Sequence, residues 1–417
     1  MSEWKEKTLG ELSIRVSSGL TPLKSNKEFW KNPIIPWLKT DQLGEKYIFD
    51  TNTKISKEAL EQTSLRIYPE NTISIAMYGE GKTRGNLSII KAPMTTNQAC
   101  CNIELDTKLA DVEYVYYYLK TQYDALRKLS SGVRKNLSSN DIKNYKIYIP
   151  ESVSFQKSIV RILTSLDNKI SVNNQINQEL EAMAKTLYDY WFVQFDFPDQ
   201  NGKPYKSSGG KMVYNPELKR EIPEGWEVEK LGDMAQFKNG INYEKTSSGS
   251  EKVKIINVRN ISSSTIFINQ TDLDEIFLEN DKSTNFIVNE GMILITRSGI
   301  PGATRLVSEL EAKTVYSGFI IASEVNDLIY KNLIFYYLKH VEEVLKNQSA
   351  GTIMKNISQS VLTDMAVSLP PQNVLLKFNS IIDNLLEQMK NVQRQNQELT
   401  QLRDWLLPML MNGQVII

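Results

Sequence analysis

The chain says nearly the same thing twice, at a shift of about 220 residues, and a repeat of that length limits the fold to two copies of one globular unit. Trp4 precedes Leu9-Gly10-Glu11-Leu12, and Trp226 precedes Leu231-Gly232-Asp233-Met234. Tyr117-Tyr118-Leu119 recurs as Tyr336-Tyr337-Leu338. Gly132, then Lys135-Asn136-Leu137-Ser138, recurs as Gly351, then Lys355-Asn356-Ile357-Ser358. Each copy reaches a proline, Pro150 or Pro370, and then a long amphipathic run carrying Leu166-Asp167-Asn168 or Ile382-Asp383-Asn384. The residues between the matched positions differ. A shared frame under divergent surfaces suits one binding task performed on two targets.

Within each copy the pattern is mixed. Ile34 to Leu38, Thr72 to Ala76 and Lys146 to Ile149 are short β-like runs bounded by turn formers. Val112 to Leu129 has helical spacing. Residues 153–193 contain neither Gly nor Pro, and Ile159, Ile162, Leu166, Ile176, Leu180, Met183, Leu187 and Tyr190 fall on one heptad frame, interrupted by Lys169 and Asn173. A helix there would be roughly 60 Å long. Phe378, Ile381, Leu385, Val392, Leu399, Leu402, Leu406 and Met409 keep a second frame, with Gln388 and Gln395 as its polar members. Each stripe is narrow and needs a partner. The other helix of the same chain is the nearest one, and globular linkers make the pairing antiparallel. The class expected is α+β: two similar mixed α/β domains at 1–150 and 226–370, and two long helices at 151–197 and 371–417 packed as an antiparallel coiled coil. Residues 198–225 hold Pro198, Asn201-Gly202, Pro204, Ser207-Ser208-Gly209-Gly210 and Pro223, and form a connecting loop that leads into the second repeat.

The composition excludes several classes. Basic and acidic residues balance at 49 each, which argues against a uniformly cationic nucleic-acid coat but permits a local basic face. No apolar run reaches membrane-spanning length and no signal peptide is evident, which points to the cytoplasm. Cys100 and Cys101 are adjacent and few, as expected of reduced thiols in a strand rather than a disulfide frame. His340, the single histidine, lies on a helix-like stretch and is expected at the surface, without metal or triad partners.

Chemical motifs fail in context. Ala76 to Thr83 satisfies a short phosphate-loop pattern, but Arg84 to Pro93 reads as strand and turn where a helix should start. Pro69-Glu70 with Glu80-Gly81-Lys82 faintly suggests a metal nuclease, yet the second copy has no equivalent group. Leu369-Pro370-Pro371-Gln372 lacks the leading Asn or Asp of an adenine methyltransferase motif. The chain is therefore expected to bind and organise rather than to react.

What recurs at matched places is loop chemistry suited to DNA. The first copy offers Lys39, Thr40 and Gln42, then Lys82, Thr83 and Arg84, then Asn97 and Gln98, then Arg134, Lys135 and Asn136. The second offers Asn257, Arg259 and Asn260, then Arg297, Ser298 and Arg305, then Lys355 and Asn356. Arg and Lys suit phosphate or guanine, while Asn and Gln suit adenine edges.

Three segments carry a resemblance. One is Trp4 with Leu9-Gly10-Glu11-Leu12, echoed by Ile222-Pro223-Glu224-Gly225-Trp226 with Leu231-Gly232-Asp233. The others are Tyr188-Asp189-Tyr190-Trp191-Phe192-Val193-Gln194-Phe195-Asp196-Phe197-Pro198 and Leu402-Arg403-Asp404-Trp405-Leu406-Leu407-Pro408-Met409-Leu410-Met411-Asn412-Gly413, each closing a long helix. In order and duplication the chain resembles the DNA-specificity subunits of bacterial and archaeal type I restriction–modification systems. The resemblance implies two target-recognition domains that each read half of a split asymmetric site in double-stranded DNA. It implies partners as well: two methyltransferase (modification) subunits that supply S-adenosylmethionine and adenine methylation, and restriction subunits that use ATP and Mg²⁺, with no cofactor in this chain. Trp191, Phe192, Phe195, Trp405, Leu406 and Met409 are apolar groups near the helix ends, expected to dock the modification subunits. The helices would then act as a ruler between half-sites about 10 bp apart, or a multiple of that. The alternatives are a self-contained nuclease or methyltransferase, and a coiled-coil adaptor that never touches DNA.

Overall fold

A computed structural model describes residues 3–79, 83–129, 136–243, 249–270, 272–310, 312–348 and 357–414. The chain divides into two compact units, Met1–Ser171 with Asn396–Ile417, and Val172–Gln395. The cuts fall inside the two long helices, Val153–Tyr188 and Gln372–Met411, rather than at the expected edges near 150 and 370. Each globular part therefore shares a core with a piece of both helices, which is where the apolar side of each helix is buried.

In the first unit the main sheet runs in the order Ser13–Ser18, Cys100–Leu105, Ile73–Ala76, Leu87–Ile90, Tyr47–Ile48. Ile73–Ala76 and Leu87–Ile90 are buried at every residue, Ser74 and Ser88 included, so both faces of these central strands are covered. The helix Val112–Thr121 starts where the Asp111 carboxylate accepts from the Tyr114 N–H at 3.1 Å, and it buries Tyr114, Val115 and Leu119 in the same core. A second sheet, Lys54–Ile55, Ile35–Leu38, Thr95–Thr96, closes over Phe29, Trp37 and Ile55. Trp4–Thr8 pairs antiparallel with Lys146–Pro150.

The second unit repeats this plan. Its sheets run Ala235–Asn239, Ile320–Val325, Ile293–Thr296, Thr304–Leu306, and Asp274–Leu278, Glu251–Ile256, Thr314–Tyr316, with Glu227–Lys230 paired to Ala366–Leu369. The Leu9 N–H donates to the Tyr145 carbonyl at 2.9 Å, and Leu231 to Met365 at 2.8 Å. Gly10 lies so close to Lys143, and Gly232 to Thr363, that a Cβ would meet side-chain carbon at 2.8 Å and 2.3 Å. That contact is the physical reason for the repeated Leu-Gly pair.

The helices pair antiparallel inside each unit. In the first, Asp167 meets Arg403 at 3.1 Å, and Ile159 and Val160 share a core with Leu410 and Met411. In the second, the Asn173 amide donates to Gln395 at 3.4 Å while Phe192 packs on Phe378 with ring centroids 4.7 Å apart. Asn173 is 1% exposed, so this polar frame position is buried and spends its amide on the partner helix. The heptad assignment needs correction elsewhere. Ile176, Met183, Tyr190, Ile381 and Leu402 are exposed, and Lys169 faces solvent, whereas Leu163, Ala184, Tyr188, Leu386 and Met389 are buried. A straight helix drifts from a strict seven-residue repeat, and each helix must face a globular core as well as its partner helix, so its apolar side turns to serve both contacts.

Charged networks tie each globular part to its helix pieces. In the first unit Lys46 Nζ donates to Tyr117 Oη at 2.7 Å and lies 2.8 Å from Glu113 and 3.6 Å from Asp167. The Tyr117 hydroxyl donates to Asp167. In the second unit the Asn332 amide donates to Asp383 at 2.8 Å, and Lys339 lies 3.5 Å from Glu181.

Past Tyr188 the first helix widens into a π turn, Asp189–Val193, and the chain reverses at Phe195 with φ +65°. A positive φ at an aromatic residue is strained. It is held by Arg220, whose guanidinium sits 4.5 Å from the Phe195 ring centroid and donates to the Val193 carbonyl at 2.7 Å. The connecting segment is not all loop: Met212–Asn215 and Arg220–Pro223 form an antiparallel hairpin. Cys100 and Cys101 are free and buried, and burial pushes both thiols up to about 12, so they stay protonated. His340 is half-buried rather than at the surface, with Nδ1 3.5 Å from Asp189 and its ring beside Tyr188. Among the described residues no helix is long and apolar enough to cross a membrane.

Candidate nucleic-acid interface

Backbone hydrogen bonds gather the sequence-predicted loops at one rim of each unit. In the first unit Asn97 N–H donates to the Leu38 carbonyl at 2.9 Å, Met77 N–H to Ala99 at 2.8 Å, and Leu137 N–H to Met77 at 3.1 Å. These bonds join the segments at Lys39–Gln42, 77–79, 97–99 and 136–137, and the Gly85 N–H, donating to the Ala76 carbonyl at 2.9 Å, adds 83–85. In the second unit Ser317 N–H donates to Ile256 at 3.0 Å, Arg297 N–H to Phe319 at 2.9 Å, and Ile357 N–H to Arg297 at 2.9 Å. The two rims are therefore built from the same bonds with different side chains. Glycine permits the closest approach: a Cβ on Gly19 would lie 2.2 Å from the Thr96 carbonyl, and one on Gly240 2.3 Å from the Tyr316 and Ser317 carbonyls.

On the first rim, Lys39 is half-buried with Nζ 3.5 Å from Asp41, next to the short 3₁₀ turn Thr40–Gln42. Thr40 and Gln42 are half-buried, and the Gln42 side-chain oxygen accepts from Asn52 N–H at 3.2 Å. Thr83 and Arg84 are half-buried in the turn before Leu87–Ile90. That turn leads into a strand antiparallel to Ile73–Ala76, so the phosphate-loop pattern lacks its helix. The Asn97 side chain accepts from Ala99 N–H at 3.1 Å, which shapes the turn and exposes Gln98. Asn136 is half-buried. Lys82, Arg134 and Lys135 lie outside the described residues.

On the second rim the picture changes for several residues. Asn257 caps the short helix Val258–Ser263 and takes part in hydrogen bonds with Tyr243 and Asp274. Arg259 is held by Asp272 at 2.9 Å and Asp274 at 2.7 Å, which keep its guanidinium charged and locally neutralised. Asn260 is not a reader: at 1% exposure it accepts from Asn257 N–H at 2.8 Å and donates to the Asp272 carbonyl at 2.8 Å. Arg305 is not a reader either. Its side chain is buried in the strand Thr304–Leu306, donating to the Ser264 and Thr304 carbonyls at 2.7 Å and to Glu342 at 3.0 Å. Both act on the fold because a buried polar group keeps its place only by spending its donors internally. Arg297 and Ser298 are half-buried, and Arg297 Nη1 donates to the Gly318 carbonyl at 3.1 Å. Lys355 and Asn356 lie outside the described residues, beside Ile357.

The expected docking residues also separate. Trp191, Phe192 and Phe195 are at most 5% exposed and belong to the second unit's core, so they are not available to a partner. Trp191 and Phe192 pack on Phe378, and Phe195 meets Trp226 edge to face. Leu406 packs against the first unit's core, and Met409 is half-buried. Trp405 alone of the six stands out, 61% exposed. Among the described residues no group of His, Cys, Asp and Glu is placed to hold a metal ion.

The type I restriction modification DNA specificity domain matches residues 1–182 and again 223–401, and the chain belongs to that family. It is 29% identical to the type I restriction enzyme MjaIX specificity subunit of Methanocaldococcus jannaschii, covering 99% of this chain and 94% of that one. It is 22% identical to the HindI specificity subunit of Haemophilus influenzae, covering the whole of both chains. The crystal structure of a type I S subunit from M. genitalium superposes with a TM-score of 0.54 at 16% identity, covering 98% of this chain and 96% of that one, a likeness in fold.

Proposed function

We propose that this chain is the DNA-reading specificity subunit of a type I restriction–modification complex, without catalysis of its own. Each unit reads one half of a bipartite, asymmetric site in double-stranded DNA. The observation that carries this is the pair of rims: identical backbone bonding, divergent side chains. Such a frame holds loops rigidly while leaving their readout free to differ, which is what two half-sites of different sequence require. The relatives bear the name of specificity subunits, and the chain takes from them the role of assembling with other subunits and DNA.

The finer reading gives it two modification subunits, which supply S-adenosylmethionine and adenine methylation, and restriction subunits that use ATP and Mg²⁺. The spacer between half-sites follows the length of the two long helices, each unbroken along its course. Expression with the neighbouring modification subunit, followed by mapping of methylated adenines across a genome, should return one split motif with a fixed spacer. A continuous motif, or methylation by the lone chain, would overturn this reading.

Trp405 is the docking anchor the exposed surface supports, with Leu402 at 43% exposure also apolar there. Exposed aromatic groups of this size carry interface energy out of proportion to their number. Trp405→Ala is expected to weaken capture of the modification subunit about thirtyfold, the equivalent of about 2 kcal/mol. Titration calorimetry measures this, and an unchanged dissociation constant would remove Trp405 from the interface.

A further inference from the structure

Phe319 is 64% exposed, yet it sits in one of the most constrained stretches of the chain. Every other residue from Thr314 to Ser323 is buried. The connection Ser317–Gly318–Phe319 is gripped from two sides. Arg297 donates its N–H to the Phe319 carbonyl at 2.9 Å and its Nη1 to the Gly318 carbonyl at 3.1 Å. Gly318 lies so close to Asn242 that a Cβ would meet its side-chain oxygen at 2.1 Å. A ring on such a base cannot fold back to hide, and it is held out at the rim where the loops converge.

The first unit places Ala99 at the same point, since Met77 N–H donates to the Ala99 carbonyl as Arg297 N–H does to Phe319. Both rims thus end this loop in an apolar group beside polar ones. On the neighbouring turn of the second rim Ile300 is 41% exposed, so the apolar surface extends beyond the single ring. Arg297, expected from sequence to touch DNA, commits its backbone and part of its guanidinium to bracing this loop.

An apolar side chain in the major groove has one specific target, the C5-methyl group of thymine. We infer that Phe319 is a specificity-determining residue that reads a thymine methyl in the half-site of the second unit, with Arg297 as its positioning residue. This rests on the reading of the chain as a DNA-specificity subunit. The shape of the loop adds to it a commitment to one base and one functional group.

The test uses the assembled complex with its modification subunit and a duplex bearing the mapped site. Each thymine in the two half-sites is replaced in turn by deoxyuridine, which removes only the methyl. Wild-type affinity should fall about fourfold at one position, the worth of one buried methyl group. Phe319→Ala should bind the thymine duplex about fourfold more weakly and be indifferent to deoxyuridine at that position. Arg297→Lys should lose the same discrimination while the first unit's half-site is read unchanged. Equal sensitivity of wild type and Phe319→Ala at every position would overturn the inference. So would a uniform loss of affinity across all duplexes. Should the wild-type complex recognise no split site, the functional reading fails instead, and the two failures are told apart by that first binding curve.

Discussion

Phe378→Ala should cost about 3–5 kcal/mol of stability, because the ring is the hub on which the second unit's aromatic core is assembled. Phe378 is fully buried, and four rings surround it: Phe192 at 4.7 Å between centroids, Trp191 at 5.9 Å, and Tyr188 and Tyr336 at 6.4 Å. Those partners come from the end of the first long helix and from Lys331–Gln348, while Phe378 itself lies on the second long helix. Truncation would remove the transfer energy of the ring and leave a cavity whose walls are held by three different elements, so collapse can recover little of it. Phe378→Leu keeps most of the volume and should cost under about 1.5 kcal/mol. Urea unfolding of the three proteins provides the comparison. If the alanine protein lost less than about 1 kcal/mol, or the two variants were indistinguishable, the hub assignment would fail.

The second large effect is expected at Glu342. Its side chain is 2% exposed, and its carboxylate accepts from Arg305 at 3.0 Å and from Thr304 N–H at 3.1 Å, with Lys339 at 3.7 Å. Arg305 is nearly as buried. Glu342→Ala strips the guanidinium of its carboxylate inside the unit, and breaking such a pair costs about 3–5 kcal/mol. Replacing both partners with apolar residues, Arg305→Met with Glu342→Leu, removes the charge and its counter-charge together and should restore much of that loss. A double variant as unstable as the single one would show that packing, not charge compensation, accounts for the site. Assembled with the modification subunit, the double variant should also direct methylation to the same DNA sequence as wild type. That outcome separates Arg305 from the residues that read DNA.

Part of the rim is legible in the sequence and part is not. Lys39, Gln42, Thr83 and Asn97 in the first unit and Ser298 in the second carry polar chemistry in turn-rich segments, and within each unit backbone bonds join those segments to the rim. Asn260 and Arg305 carry the same chemistry but point inward, into hydrogen bonds with Asp272, Ser264 and Glu342. Residue type alone does not tell a donor aimed at solvent from one satisfied within the fold. Phe319 went unnoticed for the opposite reason. An aromatic residue before a strand reads as core, and only its 64% exposure shows otherwise.

The order of residues was enough for the duplication, the mixed α+β class and the two long helices. A repeated Leu-Gly step, recurring Tyr-Tyr-Leu and long runs without Gly or Pro are local signals, each tied to a backbone requirement that travels with the sequence. Which face of each helix is covered was decided only by packing. The heptad stripe implied Ile176, Met183 and Ile381 inside, while the folded units bury Ala184, Tyr188 and Met389. A helix wedged against both a globular core and a second helix turns to bury the area that serves both contacts. Likewise Trp191 and Trp405 look alike on paper, yet one fills a core and the other faces solvent. Burial belongs to the neighbours a residue acquires, and those neighbours lie far away along the chain.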